Sequence, residues 1–379
     1  MDTLAIPGIY RREIQERQPR PFGTGLPAFV GYCPKGPFDP TPISGWDQFI
    51  SIFGIANASY TPAAVRGFFQ NEGKLCYVVR QDETREPHQQ LSDALMALDV
   101  LTDVDLICLP DIMRAQNSLV LQQQLIDWCD RGATRFALLD APLQSTLATA
   151  VAQRRQLIGR NAALYYPWVD VASLSGPGIV RVPPCGHIAG MIARTDRTDG
   201  FFAAPTNETL EGVLDVGDLL TDEQQASDDP FGVVNCIRVF PGRGIRPWGA
   251  RTLSGQPDWR YINVCRLFLT FHRWLQGAMA ALVYEPNTPV LWARIRRTIS
   301  GYLDDLHRRG GLAGTTEREA YFVRCDASTT PPAIRDNGQV IAEIGIAPVI
   351  PAEFIVVTLL FGAGEVLIGG DQQPPEMET

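Results

Sequence analysis

Cys185 and His187 stand two residues apart in PPCGHIAG, the residue types of a thiol nucleophile and its base. Such a pair needs a third group to orient the imidazole, and the flanking sequence offers none. A turn cysteine beside a helix-starting histidine is the commoner meaning of this pattern. A phosphate cradle would require GxxxxGK followed by Ser or Thr. Gly67 and Gly73-Lys74 instead enclose five residues, Leu75 replaces the hydroxyl, and the helix precedes the glycine rather than following it. The run Gly242-Arg243-Gly244-Ile245-Arg246-Pro247-Trp248-Gly249 is glycine-rich, but its third glycine is misplaced for GxGxxG. Pro247 would also interrupt the helix whose N-terminus must face a pyrophosphate. Asp228-Asp229 and Asp304-Asp305 are adjacent pairs, and neighbours on a helix point about 100° apart, so neither reads as an acid/base dyad.

Metal and redox spacing is missing too. His88, His187, His272 and His307 are scattered. Among Cys33, Cys76, Cys108, Cys129, Cys185, Cys236, Cys265 and Cys325 the closest two are 21 residues apart, so no CxxC pair exists. Several lie in apolar runs (LCYVV, DLICLP), where a reduced cysteine behaves as a small hydrophobe. No catalytic residue, cofactor or metal is expected. The chain has 379 residues, 45% of them hydrophobic and 20% charged, with a formal charge of -9. That excludes a disordered or collagen-like chain and argues against general affinity for nucleic acid. No secretory signal is expected at the N-terminus. The longest apolar run, Phe354 to Gly364, is well short of the ~20 residues needed to cross a bilayer, so no membrane insertion is expected.

The elements that would position any site alternate between strand and helix. PAFVGYC (27–33), LCYVVR (75–80), VDLICLP (104–110), RFALLDAP (135–142) and AALYYPWV (162–169) read as buried strands. Trp46, Phe49, Ile50 and Phe53 share one helical face, and Thr61-Pro62 opens a second helix that Gly73 is placed to end. Helical periodicity recurs at 89–101, 117–131 and 144–158. Continuous apolar strands separated by helices predict an α/β layer with mostly parallel strands. Residues 198–231 read as an acidic surface segment or domain boundary. Beyond them, 262–283 and 289–309 read as long helices around the turn EPNTP, and 320–325 and 339–350 as strands. AEFIVVTLLFGAG reads as a long apolar strand before a polar tail.

Charge is zoned along the chain. Residues 198–237 hold nine acids and no Lys or Arg, 236–325 hold 14 Arg against six acids, and 326–379 hold Arg335 against eight acids. Such zones suit contacts between copies, or are ordinary solvated faces. The two ends are apolar: Leu4, Ile6, Ile9, Tyr10 and Ile14 at one, and Phe354, Ile355, Val356, Val357, Leu359 and Phe361 at the other. Left as free edges they would invite association. Either they pack on their own core or they are lent to a neighbouring copy, which generates an open head-to-tail polymer.

Taken together, IPGIYRREI, PAFVGYCPKGPFDPTPISGWDQFISIFG, AAVRGFFQNEGKLCYVVR, PPCGHIAGMIARTDRTDGFFAAPTNE, DPFGVVNCIRVFPGRGIRPWGARTL, DWRYINVCRLFLTF, VYEPNTPVLWARIRR, GLAGTTEREAYFVRCD and VIAEIGIAPVIPAEFIVV resemble the contractile tail sheath family of myophages and phage-derived injection systems. These blocks cover most of 5–80 and 185–357; 89–168 is recognisable mainly by its α/β pattern. The resemblance implies a structural protein, not an enzyme, with a fold of α/β and α+β parts. Its sheath core, a mixed sheet with long helices, is completed by the terminal arms of neighbouring subunits, and an α/β domain is inserted into it. Carried over, the arms are 1–20 and 350–363, the latter followed by a tail to 379. The inserted domain is 21–235 and the core 236–349. The resemblance also implies a homopolymeric contractile sleeve around an inner tube protein, with baseplate and terminal cap partners. The sleeve is assembled in the bacterial cytoplasm as part of a phage tail or injection particle. Arg294 and Arg297, three apart on one face, and Arg308 further along are candidate tube or intersubunit contacts, or simply solvent-facing arginines. A sheath paralogue confined to the baseplate or cap end, or an α/β nucleotide-binding enzyme, are the alternative readings.

Overall fold

The computed structural model describes residues 23–352 apart from Asn57 and Pro230, together with the backbone alone of 358–362 and 365–369. Leu4, Ile6, Ile9, Tyr10 and Ile14 of the expected N-terminal arm lie outside the described residues, as do Phe354, Ile355, Val356 and Val357.

The chain runs β1 (Pro27–Tyr32), β2 (Thr41–Ile43), α1 (Trp46–Phe53), α2 (Thr61–Gln70), β3 (Cys76–Gln81), α3 (Pro87–Leu98), β4 (Leu106–Cys108), α4 (Ser118–Gly132), β5 (Phe136–Asp140), α5 (Leu147–Gln156) and β6 (Ala162–Tyr166). After β7 (Val169–Ala172) and β8 (Ile179–Val182) come α6 (Cys185–Thr198), β9 (Val213–Val216), α7 (Asp222–Asp228), β10 (Asn235–Phe240) and β11 (Gly244–Trp248). The C-terminal third holds α8 (Ile262–Ala280), α9 (Pro289–Arg308), α10 (Glu317–Ala320), β12 (Tyr321–Arg324), α11 (Pro332–Asp336), β13 (Glu343–Ile346), β14 (Thr358–Gly362) and β15 (Glu365–Gly369).

Eight strands form one sheet in the order β11-β10-β6-β5-β4-β1-β3-β2. The six inner strands are parallel, and β2 and β11 are antiparallel edges. Because side chains alternate along a strand, each run feeds both faces. Phe29, Leu106, Phe136, Leu138 and Tyr165 pack on the α2 and α6 side, while Val30, Ile107, Leu139, Leu164 and Tyr166 pack on α3, α4 and α5. A sheet covered on both faces explains why its strands read as unbroken apolar runs.

Some expected boundaries differ. The run 162–169 is divided at Pro167, and Val169 starts a strand of a separate three-stranded sheet, β8-β7-β9. α2 opens one residue earlier than expected: Tyr60 holds the cap position, Thr61 is the first helical residue and Pro62 the second, and the Thr61 hydroxyl donates to the Asp111 carboxylate instead of capping the helix. The helix ends at Gln70 with Asn71 as its cap, and the left-handed residue that follows is Glu72 (φ 67°), not Gly73. Residues 198–231 are more than a surface segment, since they bury Phe201, Phe202 and Leu210 and supply β9 and α7. The large sheet also continues past residue 235 through β10 and β11, so the change to long helices comes after Trp248. Of 339–350 only β13 is strand, and the expected polar tail supplies β15, which pairs antiparallel with β14. Leu359 and Phe361 sit on β14, opposite Ile368 and Val366.

Candidate functional site

The C-terminal third is built on α9. Leu291, Ile295, Ile299 and Leu303 recur every four residues and are buried against Phe201, Phe202, Leu267 and Phe271. Over this helix lies a sheet of two strands only, with Tyr321, Phe322, Val323 and Arg324 of β12 facing Ile346, Gly345, Ile344 and Glu343 of β13. Tyr321 and Val323 point at the helical core, and the Tyr321 hydroxyl donates to Asp304. That bond fixes the strand on α9, and burial, then the bond to Asp304, pushes the phenol well above its ordinary pKa. On the outer face Phe322 is 57% exposed and lies over Gly345, where an added Cβ would come within 2.1 Å of its ring. Arg324 and Glu343 pair across the strands. Neither outer edge meets another strand among the described residues. A two-stranded ribbon is marginal by itself, and open edges are templates for further strands.

Arg294 and Arg308 are exposed on the side of α9 away from the core, held by Glu285 at 2.5 Å and Asp305 at 3.6 Å. Arg297 is exposed on the same side and has no ion pair or hydrogen bond among the described residues. The three arginines therefore share one solvent-facing stripe, as their spacing requires.

The chemistry-bearing motifs are used structurally. Cys185 starts α6, its N–H donates to Asp140 at 3.0 Å, and burial pushes its thiol well up. His187 is buried with neither ring nitrogen hydrogen-bonded, packed on Gly67, where an added Cβ would lie 2.5 Å from the ring. Burial, then the Arg66 charge, lowers its pKa to about 4. A buried thiol and a neutral, unoriented imidazole do not make a nucleophile and base. Asp229 accepts from the Val233 and Val234 amides, and Asp305 pairs with Arg308 and Arg309, so neither adjacent carboxylate pair acts as a dyad. A cavity of about 330 Å³ lies at the carboxyl ends of β1 and β4, the switch point where doubly wound folds bind nucleotides. Here the Asp111 carboxylate takes the Tyr60 and Tyr32 amides and the Ser59 and Thr61 hydroxyls. The donors that would cradle a phosphate at the α2 N-terminus thus face a carboxylate of the chain itself. Among the described residues no group of three or more His, Cys, Asp or Glu is placed to hold a metal ion. No described helix is long and apolar enough to cross a membrane.

One cluster escaped the sequence reading. Arg266 of α8 is buried and holds both oxygens of Asp196 on α6, at 2.7 and 2.5 Å, and Asp105 before β4 at 3.0 Å. Arg273, two turns further along the same face of α8, donates to the Asp103 carbonyl and lies 3.8 Å from Asp105. Burial alone would lower the Arg266 pKa, but the two carboxylates outweigh it and raise it, while burial keeps Asp196 raised. The signal was present: an arginine inside the apolar run INVCRLFLTF must find a buried acid or stay unpaired.

Residues 88–253 match the phage tail sheath protein central domain and residues 254–361 the phage tail sheath C-terminal domain. A chain in the solved baseplate of the anti-feeding prophage is 30% identical with a TM-score of 0.78, the match covering 95% of this chain and 99% of that one. The chain belongs to the contractile tail sheath family. A chain of the contracted sheath complex of PVC, an extracellular contractile injection system, is 28% identical with a TM-score of 0.76, covering 96% and 99%. The tail sheath protein of Vibrio phage KVP40 is 25% identical over 182 residues, 47% of this chain and 26% of that protein. This sheath-family chain therefore spans about a quarter of the length of that curated relative, and nearly all of the injection-system chains. The β12–β13 sheet and α9 fall inside the matched C-terminal domain.

Proposed function

We propose that the chain is a structural sheath subunit that polymerises into a helical sleeve around an inner tube. The sleeve contracts from a metastable extended state and drives the tube through a target envelope. The observation that carries this reading is the β12–β13 sheet, whose outer edges meet no other strand among the described residues. Arms 1–20 and 350–363 of neighbouring copies complete it by strand addition. Backbone hydrogen bonds of that kind persist while rigid bodies turn about short hinges, for which Pro7-Gly8, Pro19–Pro21 and Pro348–Pro351 are placed. Contraction then draws on subunit contacts that are better in the short state, with no nucleotide or metal. Arg294, Arg297 and Arg308, with the acidic zones 198–237 and 326–379, supply tube or intersubunit contacts. Baseplate and terminal cap proteins bound the sleeve, which assembles in the bacterial cytoplasm into a phage tail or injection particle.

Deletion of 1–20 or of 350–379 is expected to leave a folded, soluble body that forms no sheaths in electron micrographs. Long sheaths of normal bore from either deletion overturn the reading. Copy number per particle separates a main sheath subunit from one confined to the baseplate or cap end.

A further inference from the structure

Residues 23–26, where the N-terminal arm meets the body, are held more firmly than a linker requires. Gly25 has φ +69° and sits so close to α6 that a Cβ on it would lie 2.6 Å from the Ala193 Cα, so only glycine fits there. Its N–H donates to the Asp105 carboxylate at 3.0 Å, and the Leu26 N–H donates to the other oxygen at 2.7 Å. The Leu26 carbonyl accepts the Asp105 N–H at 3.1 Å, so Leu26 is fixed from both sides. The Thr24 side chain hydrogen-bonds the Asp196 carboxylate. Both acids are in turn held by Arg266, which is 2% exposed. α6 and the segment before β4 therefore converge on three residues, Thr24 to Leu26, and α8 holds both through Arg266.

We propose that Thr24, Gly25 and Leu26, with Asp105, Asp196 and Arg266, form a socket that fixes the direction in which the N-terminal arm leaves its own subunit. This rests on the strand-exchange reading given above and adds a determinant to it. An arm that must reach an edge on a neighbouring copy has a small target, and a fixed root lowers the entropy lost on reaching it. Because Arg266 belongs to α8, the root also turns with the helices that carry the β12–β13 sheet. The arm of one subunit and the acceptor sheet of that same subunit then rotate as one unit. The socket residues act as positioning residues, holding the backbone from which the arm departs.

Two variants of the full-length chain test this. Gly25→Ala breaks the socket, and a Gly-Gly-Ser insertion between Phe22 and Gly23 leaves the socket intact but uncouples the arm from it. Both are expected to keep the far-ultraviolet circular dichroism of the parent; the insertion keeps its thermal midpoint, whereas Gly25→Ala lowers it because the added Cβ meets the Ala193 backbone at a left-handed position. Both are also expected to polymerise at least tenfold more slowly, or into sheaths of altered helical pitch, by light scattering and electron microscopy. Should Gly25→Ala fail to fold, the insertion alone decides. Parental rates and pitch from the insertion overturn the proposal. If the 1–20 deletion also forms normal sheaths, the strand-exchange reading fails with it; if that deletion abolishes sheaths, only the socket is wrong.

Discussion

The eight-stranded sheet and the two-stranded β12–β13 sheet belong to one chain but end differently at their edges. At one margin of the large sheet β2 is only three residues long. At the other, the segment 207–210 covers β11, with the Asn207 and Leu210 amides donating to the Pro247 and Ile245 carbonyls. Short or covered edges are how a finished sheet avoids its neighbours. β12–β13 has a face covered by α9 and an exposed phenylalanine on the other, and among the described residues no third strand joins it, only an isolated bridge between Leu312 and Pro348 just past β13. The difference separates a sheet whose margins are short or covered from one whose outer edges meet no further strand among the described residues, the place where the proposed strand addition would occur.

The sharpest way to break that comparison is to remove one phenylalanine from each sheet. Phe136 on β5 is 0% exposed, and Phe136→Ala should cost about 3–5 kcal/mol through lost transfer energy and the cavity left behind. Phe322→Ala, at a 57% exposed position, should cost under about 1 kcal/mol in the soluble chain yet impair sheath formation. Urea unfolding of both variants, with electron microscopy of the second, gives the answer. Equal losses of stability would mean that β12–β13 is already complete.

Arg266→Met tests the joint between the two regions. Removing the arginine leaves Asp105 and Asp196 buried without their shared cation. Breaking a buried pair this way typically costs about 3–5 kcal/mol, whereas replacing all members together is often near neutral. The triple variant Asp105→Asn, Asp196→Asn, Arg266→Met should therefore recover much of the urea midpoint lost by Arg266→Met alone. No recovery would mean that packing of the long side chain, rather than charge balance, holds α8 to the sheet.

Acid response should also belong to the finished region. His187, with its pKa lowered from 6.5 to about 4, favours the fold when neutral. Its contribution is fully present above pH 6.5 and is lost as the pH falls through 4, on the order of 3 kcal/mol in all. Asp140 runs the other way. Burial raises it from 3.8 to about 7 against hydrogen bonds from Cys185, so its contribution is present below pH 3.8 and lost as the pH rises through 7. Urea midpoints from pH 4.5 to 8 should show a shallower acid decline for His187→Leu and a shallower alkaline decline for Asp140→Asn. Slopes unchanged from the parent would place the titrating groups elsewhere.

Five strands of the large sheet, β1, β3, β4, β5 and β6, were legible because they are largely buried and carry apolar runs between helices; β2, β10 and β11, partly exposed, were not read as strands. Most helix cores were legible for the related reason that stripes such as Leu291, Ile295, Ile299 and Leu303 repeat at helical spacing. What was hidden depends on contacts far apart in the chain. Asp111 reads as a loop acid until Thr61, fifty residues away, is seen to bond it. Gly25 looks like one glycine in FGTG until Ala193 is seen against it. The two-stranded sheet was half legible: the alternation at Val340, Ala342, Ile344 and Ile346 marks a one-sided strand, of which 343–346 is strand, but how far a sheet extends beyond its described edges leaves no trace in composition.

The smallest expected effect on the isolated chain comes from the arginine stripe of α9. Arg297 is exposed and unpaired among the described residues, and Arg294 meets only Glu285. Exposed pairs of this kind contribute little to folding, so Arg294→Glu with Arg297→Glu should leave the urea midpoint where it was. If the stripe faces the tube or a neighbouring subunit, the same reversal puts like charges into a contact of fixed polarity. Complementary charges act mainly on encounter and register, and their effect falls with added salt. The double variant should therefore assemble poorly or contract slowly, with a deficit that shrinks between low and high ionic strength. Assembly and contraction at parental rates in low salt would show that these arginines face only solvent.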